Sequence, residues 1–141
     1  HASARGEKIS VFFINNTLYG MTGGQMAPTT LLGQVATTCP YGRKIENEGY
    51  PVKMAELLAG NEGSAYISRV AVNSPANVVK AKKAIKKAFE TQAKGLGFSM
   101  VEILSTCPTN WGLNPVDAMK WMEDNMIPYY PLGEFKVKEG K

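Results

Sequence analysis

Apolar residues along the chain fall into two patterns, short solid runs and stripes with helical spacing. Ile9 to Ile14 (ISVFFI), Ala65 to Val72 (AYISRVAV) and Phe98 to Leu104 (FSMVEIL) are short, rich in β-branched and aromatic residues, and bounded by Asn, Ser, Pro or Gly. Runs of this kind predict buried strands of a parallel sheet. Helices are predicted between them. Met54 to Ala59 (MAELLA) stops at Gly60, and a longer stripe from Ala76 to Lys94 follows Ser74-Pro75 and stops at Gly95. Asn114 has N-cap chemistry, Pro115 suits the first helical position and Asp117 the first turn, so a third helix is expected to run to Asn125, with Pro128 closing it. The opening HASARGEKIS reads as the end of a helix stopped at Gly6 between Arg5 and Lys8. Residues 128–141 are rich in Pro and Lys and are expected to wrap the surface as an extended tail.

The alternation of strand and helix implies an α/β fold with a parallel sheet. There is no internal repeat and no linker, so residues 1–141 form one unit. A ligand on such a sheet is expected outside the carboxyl ends of the strands. Two loops leave strand ends there, one beginning at Asn15 and the other at Ser105. The first is the longer: Thr17 to Pro51 is rich in Gly, Thr, Pro and Tyr without a period, and loops of that length in a compact domain are usually functional.

Composition narrows the chemistry. The chain has 141 residues, 44 % hydrophobic and 20 % charged, as expected of one globular domain with a real core. No apolar run approaches the roughly 20 residues needed to cross a bilayer. No basic-then-apolar leader opens the chain. A cytoplasmic location without a membrane partner is therefore expected. The chain begins at His1 rather than Met, which suggests a fragment; a processed or tagged chain is the alternative. His1 is the single histidine, so no Ser-His or Cys-His nucleophile pair and no histidine zinc site can form. Two cysteines, Cys39 and Cys107, cannot make a disulfide scaffold, and free or ligand thiols are expected. The net charge of +4 owes much to Lys80, Lys82, Lys83, Lys86, Lys87 and Lys94. Lys80, Lys83, Lys87 and Lys94 share a helix face opposite Val78, Ala81, Ile85, Ala88, Phe89 and Leu96, which reads as a solvated face or as a surface for an acidic protein. No aromatic residues interleave with the lysines, so nucleic acid is not implied.

The segment NNTLYGMTGGQMAPTT, Asn15 to Thr30, offers amide oxygens, backbone carbonyls, glycines that admit close approach, and threonine hydroxyls. Magnesium bound to phosphates uses a few protein oxygens of this kind. Composition alone leaves a structural Gly/Thr loop equally open, and no phosphate-loop lysine motif is present. Arg43 and Arg69 could grip a carboxylate or phosphate in bidentate fashion, with surface salt bridges as the plainer expectation. Trp111 reads as a packing residue. Cys107, in a Cys-Pro after a strand, reads as an inert thiol unless a metal claims it.

As a whole, FINNTLYGMTGGQMAPTT resembles the second half of the thiamine diphosphate motif in β subunits of 2-oxoacid:ferredoxin oxidoreductases. CPYGR (Cys39 to Arg43) and STCPTNWG (Ser105 to Gly112) resemble family segments in the expected order. The resemblance implies the three-layer, parallel-sheet fold of thiamine-diphosphate-binding domains, present as its C-terminal part. It implies that Asn16 (side chain) and Leu18 (carbonyl) are ligands of Mg2+, completing a site begun by an aspartate upstream. Tyr19, Gly20, Met21 and Thr22 would lie along thiamine diphosphate, with Thr22 donating to the diphosphate. Cys107 would be the fourth ligand of a four-iron, four-sulfur cluster, and Cys39 has no such role. The implied reaction is coenzyme-A-dependent oxidative decarboxylation of a 2-oxo acid, with electrons passing through iron–sulfur clusters to ferredoxin. An α subunit would supply the pyrimidine-binding domain and its activating glutamate, so Glu46, Glu56 and Glu102 are not candidates. No catalytic residue is assigned to this chain, and γ and ferredoxin-like subunits would complete the enzyme. The MTGGQ form is nearer to 2-oxoisovalerate and 2-oxoglutarate enzymes than to pyruvate enzymes, with 2-oxoisovalerate ahead. A non-oxidative thiamine-dependent decarboxylase and a non-catalytic subunit-docking module are the rivals. The fragment alone is expected to be inactive and to expose apolar surface that favours self-association.

Overall fold

The computed structural model describes residues 1–139. Its elements are α1 (Ala2–Arg5), β1 (Ser10–Asn15), β2 (Leu18–Tyr19), β3 (Gln25–Met26), α2 (Ile45–Glu48), α3 (Met54–Ala59), β4 (Ser64–Ala71), α4 (Pro75–Ala93), β5 (Phe98–Leu104), α5 (Pro108–Trp111), α6 (Pro115–Trp121), a π-helical turn (Met122–Met126), α7 (Ile127–Tyr129) and β6 (Gly133–Val137). The main sheet has the order β1-β5-β4-β6, with the first three strands parallel and β6 antiparallel. β2 and β3 form a separate antiparallel pair inside the long loop.

Side chains alternate across the sheet and define three layers. Tyr66, Val70, Val101 and Ile103 point to one face and bury Ala81, Ala84 and Ala88 of α4. Ile67, Phe98 and Met100 point to the other, against Ala55 of α3. Further along that second face, Ala71 and Leu104 meet Leu31, Met122, Met126 and Tyr130. Ile67, Val101 and Leu104 are fully buried, each contributing about 1.5–3 kcal/mol by leaving water. Helix ends follow the cap chemistry read in the sequence. The Ser74 and Asn114 side chains accept from the backbone N–H groups of Asn77 and Asp117, and Gly6 and Gly95 adopt the left-handed conformation after their helices.

Three expectations are revised. β1 is an edge strand rather than a buried one: apart from Asn15 its side chains are half-buried or exposed, and among the described residues no strand pairs with its outer edge, where Ile9 and Ile14 are exposed. The helix opening at Pro115 does not end near Asn125. It continues through Pro128 to Tyr129. A proline removes one N–H and crowds the carbonyl four residues back, and the wider π turn just before it relieves both. Burial of Met122, Met126 and Tyr130 stabilises the continuation, and the Tyr130 hydroxyl donates to Thr29 O at 2.7 Å. Finally, residues 128–139 do more than wrap the surface as an extended tail. Gly133–Val137 pairs with β4, Phe135 turns inward toward α3, and Glu134 turns outward to accept from the Tyr66 hydroxyl and Lys87 Nζ. The end of that expected tail, residues 140–141, lies outside the described residues.

The lysine helix also differs in detail. Its buried stripe is Ala81, Ala84, Ala88 and Thr91, while Phe89 is largely exposed and rests against Phe12 with ring centroids 5.1 Å apart. Lys80, Lys83 and Lys87 border a hollow of about 370 Å³ between α4 and β6. Lys87 is spent on Glu134 there. No described helix is long and apolar enough to cross a membrane.

Candidate functional site at the carboxyl end of β1

The Asn pair is split by the pleat of β1 and by the turn after it. Asn15 is buried and structural: its Nδ2 donates to Glu102 Oε1 at 2.7 Å, and its Oδ1 accepts from the Thr17 N–H at 3.0 Å. Thr17 is the only non-glycine residue with positive φ among those described, at 64°. A β-branched residue resists that conformation, so its surroundings must impose it. They do so from three sides. Gln34 Nε2 donates to Thr17 Oγ1 at 2.7 Å, the Thr30 hydroxyl donates to the Thr17 carbonyl, and Asn15 takes its N–H. Asn16, between them, is half-buried, and its Oδ1 lies 3.4 Å from the Leu18 N–H.

Behind Asn15 lies a buried ion triad. Arg69 Nε donates to Glu102 Oε2 at 2.9 Å and Arg69 Nη2 pairs with Glu56, while Arg69 and Glu102 side chains are wholly buried. The guanidinium also lies between Tyr130 and Phe135, at 5.2 and 5.0 Å from their ring centroids. Burial alone would raise the Glu56 carboxyl, but hydrogen bonds from Arg69 and the backbone outweigh it and hold it below the ordinary range. Arg43 organises the loop from inside. Its guanidinium donates to the carbonyls of Ala27, Pro28, Thr30, Glu48, Gly49 and Tyr50. Neither arginine forms the surface salt bridge expected of it, and neither is free to grip a ligand, because buried backbone and carboxylate acceptors consume their donors.

The result is a hollow of about 200 Å³ at the end of β1, lined among others by Phe13, Asn16, Leu18, Tyr19, Pro28 and Met54. The predicted residues divide around it. Asn16, Leu18 and Tyr19 line it; Asn16 Oδ1 is held only by a long 3.4 Å contact from the Leu18 N–H, which leaves the oxygen available to a ligand. Gly20 turns away toward Cys107. Met21 and Thr22 stand exposed at the tip, where Thr22 bonds to Gln25 rather than pointing into the hollow. The hollow has no acidic lining residue. Its donor set of one amide oxygen and main-chain carbonyls fits part of a magnesium site, with charge balance left to a diphosphate and to an acidic ligand from elsewhere.

Cys107 reaches the same loop from β5. Its Sγ is half-buried and lies against Gly20. Asn110, one turn later on α5, donates to both Cys107 Sγ at 3.2 Å and Gly20 O at 3.1 Å. Among the described residues no group of three or more His, Cys, Asp or Glu side chains could hold a metal, so a cluster on Cys107 requires ligands from outside them. Cys39 is buried elsewhere, and burial, reinforced by Glu48, pushes its thiol up. Trp111 packs as expected, on Trp121 at 4.5 Å between centroids. Sequence reasoning missed Thr17, Gln34 and Asn110. Only Asn110 left a signal, its spacing of three from Cys107.

The fold and this site define an α/β domain whose neutral oxygen donors converge at the carboxyl end of a parallel strand. Residues 1–103 match the family described as thiamine pyrophosphate enzyme, C-terminal TPP binding domain, and the chain belongs to that family. It is similar to ketoisovalerate oxidoreductase subunit VorA of Methanothermobacter marburgensis, 47 % identical over 140 residues, covering 99 % of this chain and 29 % of that protein. It is also similar to 2-oxoglutarate synthase subunit KorB of Methanocaldococcus jannaschii, 39 % identical over 132 residues, covering 90 % of this chain and 44 % of that protein. The chain thus spans less than half the length of these relatives. Among solved structures, a 2-oxoglutarate:ferredoxin oxidoreductase from Magnetococcus marinus superposes with a TM-score of 0.76 over 100 % of this chain and 51 % of its own, at 21 % identity, which shows the shared fold.

Proposed function

We propose that the chain is the C-terminal part of the thiamine-diphosphate-binding β subunit of a 2-oxoacid:ferredoxin oxidoreductase, acting on 2-oxoisovalerate, with 2-oxoglutarate as the alternative. The observation that carries the proposal is the different commitment of the Asn pair: the Asn15 amide is spent on Glu102 and Thr17, whereas Asn16 lines the hollow beside Leu18 with one long contact at its Oδ1, and the Cys107 sulfur lies against Gly20 of the same loop. The graded similarity to VorA and KorB relatives supports the substrate order.

In this reading Asn16 Oδ1 and the Leu18 carbonyl hold Mg2+, and Tyr19, Gly20, Met21 and Thr22 border the cofactor. The exposure of Tyr19, Met21 and Thr22 leaves them free to meet a cofactor seated against a partner. Cys107 contributes one thiolate to a four-iron, four-sulfur cluster whose other ligands lie in the segment upstream. When bound, thiamine diphosphate supplies the nucleophilic carbon for decarboxylation and the cluster supplies the route for electrons. In this reading the residues of this chain position the cofactor and exclude water, and the proton transfers are assigned to the partner. Glu56 and Glu102 are committed to Arg69, and in this reading, as the resemblance implies, the activating glutamate comes from the α subunit. The γ and ferredoxin-like subunits, ferredoxin and coenzyme A complete the assembly, which belongs in the cytoplasm, where thiols such as Cys107 stay reduced.

The test is reconstitution of the full-length subunit with its partners, followed by iron analysis and 2-oxoacid-dependent ferredoxin reduction. Iron-dependent reduction is expected. Decarboxylation without iron would point instead to a non-oxidative decarboxylase, and failure to bind thiamine diphosphate would sink both readings.

A further inference from the structure

The cysteine turn touches the cofactor loop through one side chain with two obligations. Asn110 uses both hydrogens of its amide, one on the Gly20 carbonyl at 3.1 Å and one on Cys107 Sγ at 3.2 Å. The loop is shaped around it. At Gly24, where φ is 82°, a Cβ would stand 2.9 Å from Asn110 Oδ1. At Gly20 a Cβ would stand 3.1 Å from Cys107 Sγ, 3.4 Å from Asn16 Nδ2 and 3.5 Å from Asn110 Nδ2. Glycine at these two positions lets the amide sit between loop and thiol. An asparagine that merely packed α5 against its neighbours would not need donors on two separate elements.

We propose that Asn110 is a positioning residue that couples the thiamine diphosphate loop to the iron–sulfur ligand Cys107. The proposal rests on the reading that Cys107 holds a cluster in the intact subunit. One N–H fixes the Gly20 carbonyl, four residues after the proposed metal ligand Asn16. The other N–H falls on the sulfur, and hydrogen bonds to cluster sulfurs are among the determinants of reduction potential. A donor there stabilises the extra negative charge of the reduced cluster and raises its potential. Because the two N–H groups belong to one planar amide, any displacement of the Gly20 carbonyl by a bound cofactor alters the bond to sulfur.

The experiment uses the full-length subunit assembled with its partners and carrying its clusters. Cluster potentials are read by electron paramagnetic resonance in redox titrations with and without thiamine diphosphate, and cofactor affinity is read by calorimetry. In the wild type, adding the cofactor shifts the potential. Asn110→Ala is expected to lower the potential, to abolish most of that shift, and to weaken cofactor binding about five-fold, the equivalent of one neutral hydrogen bond. Gly24→Ala, which crowds Oδ1 but keeps the donors, should act in the same direction and carries the test if Asn110→Ala fails to assemble. Wild-type potentials and a wild-type cofactor shift in these variants would overturn the proposal. Cys107→Ala, which offers no ligand atom, separates the two levels. Loss of cluster iron there with unchanged potentials in Asn110→Ala removes the coupling alone, whereas unchanged iron removes both the coupling and the cluster role of Cys107.

Discussion

Replacing Asn15 by Leu removes the polar joint between the sheet and the site loop while keeping the branched shape of the side chain. In the wild type Asn15 Nδ2 donates to the buried Glu102 carboxylate at 2.7 Å and Oδ1 accepts from Thr17 N–H at 3.0 Å. A hydrogen bond to a charged group is worth about 1.5–3 kcal/mol and one between neutral groups about 1 kcal/mol. Both partners left behind are buried, so neither regains water. Against this, the leucine gains about 1 kcal/mol from the burial of its added apolar surface. The net expectation is a loss of about 1.5–3 kcal/mol. It should appear in urea unfolding as a lower midpoint with an unchanged slope. Thr17, at φ 64°, has then lost one of its three constraints and relaxes toward negative φ. Asn16 moves with it, so cofactor affinity of the assembled enzyme should fall together with stability. Thr22→Ala, on the exposed tip, is the control and should stay within about 0.5 kcal/mol. If Asn15→Leu were as harmless as Thr22→Ala, Asn15 would not be the joint described.

Arg69→Met leaves Glu102 buried without its cation and should cost about 3–5 kcal/mol, measured by the same unfolding assay. The Glu134 carboxyl is held below the ordinary glutamate value of 4.5, chiefly by the Lys87 ammonium and also by the Tyr66 hydroxyl, against a smaller opposing effect of burial. Because its folded pKa is depressed, the stabilisation is present above that ordinary value and is lost as the pH falls through the folded value. Glu134→Gln should therefore remove a few tenths of a kcal/mol of acid-dependent stability, as befits a half-exposed pair, and a stability–pH profile of unchanged steepness would contradict the assignment. The 141-residue chain by itself should show no thiamine diphosphate binding by calorimetry with Mg2+, because the hollow has no acidic lining residue; micromolar affinity would contradict this.

Much of the fold was legible because its strands are nearly continuous apolar runs. Phe98–Leu104 appears as read, and the run from Ala65 to Val72 is displaced by one residue, to Ser64–Ala71. What failed was decided by tertiary contacts. β6 hides in a Pro- and Lys-rich segment, although the alternation of Glu134, Phe135, Lys136 and Val137 has the strand period of two. Pro128 obeys its local rule only until Met126 and Tyr130 are buried around it. The edge position of β1 depends on strand order, which no local pattern encodes.

The site was legible in part. Period-two alternation says that Asn15 and Asn16 face opposite sides, but which one faces inward is set by Glu102 and Arg69, 87 and 54 positions away in sequence. Arg43 and Arg69 were misread as surface residues for the same reason. Their partners are main-chain carbonyls of the loop and carboxylates on other elements, and neither leaves a trace in composition.

The most direct test of the central claim is the affinity of the assembled full-length enzyme for thiamine diphosphate at fixed Mg2+, compared between wild type and Asn16→Ala. Among the described residues the Asn16 side chain makes one hydrogen bond, a long one, so its truncation leaves folding nearly untouched. Loss of a metal ligand should weaken cofactor binding by at least about ten-fold, equivalent to about 1.4 kcal/mol, and excess Mg2+ should recover part of it. Equal affinities in the two proteins would show that the end of β1 is not where the cofactor's metal is held.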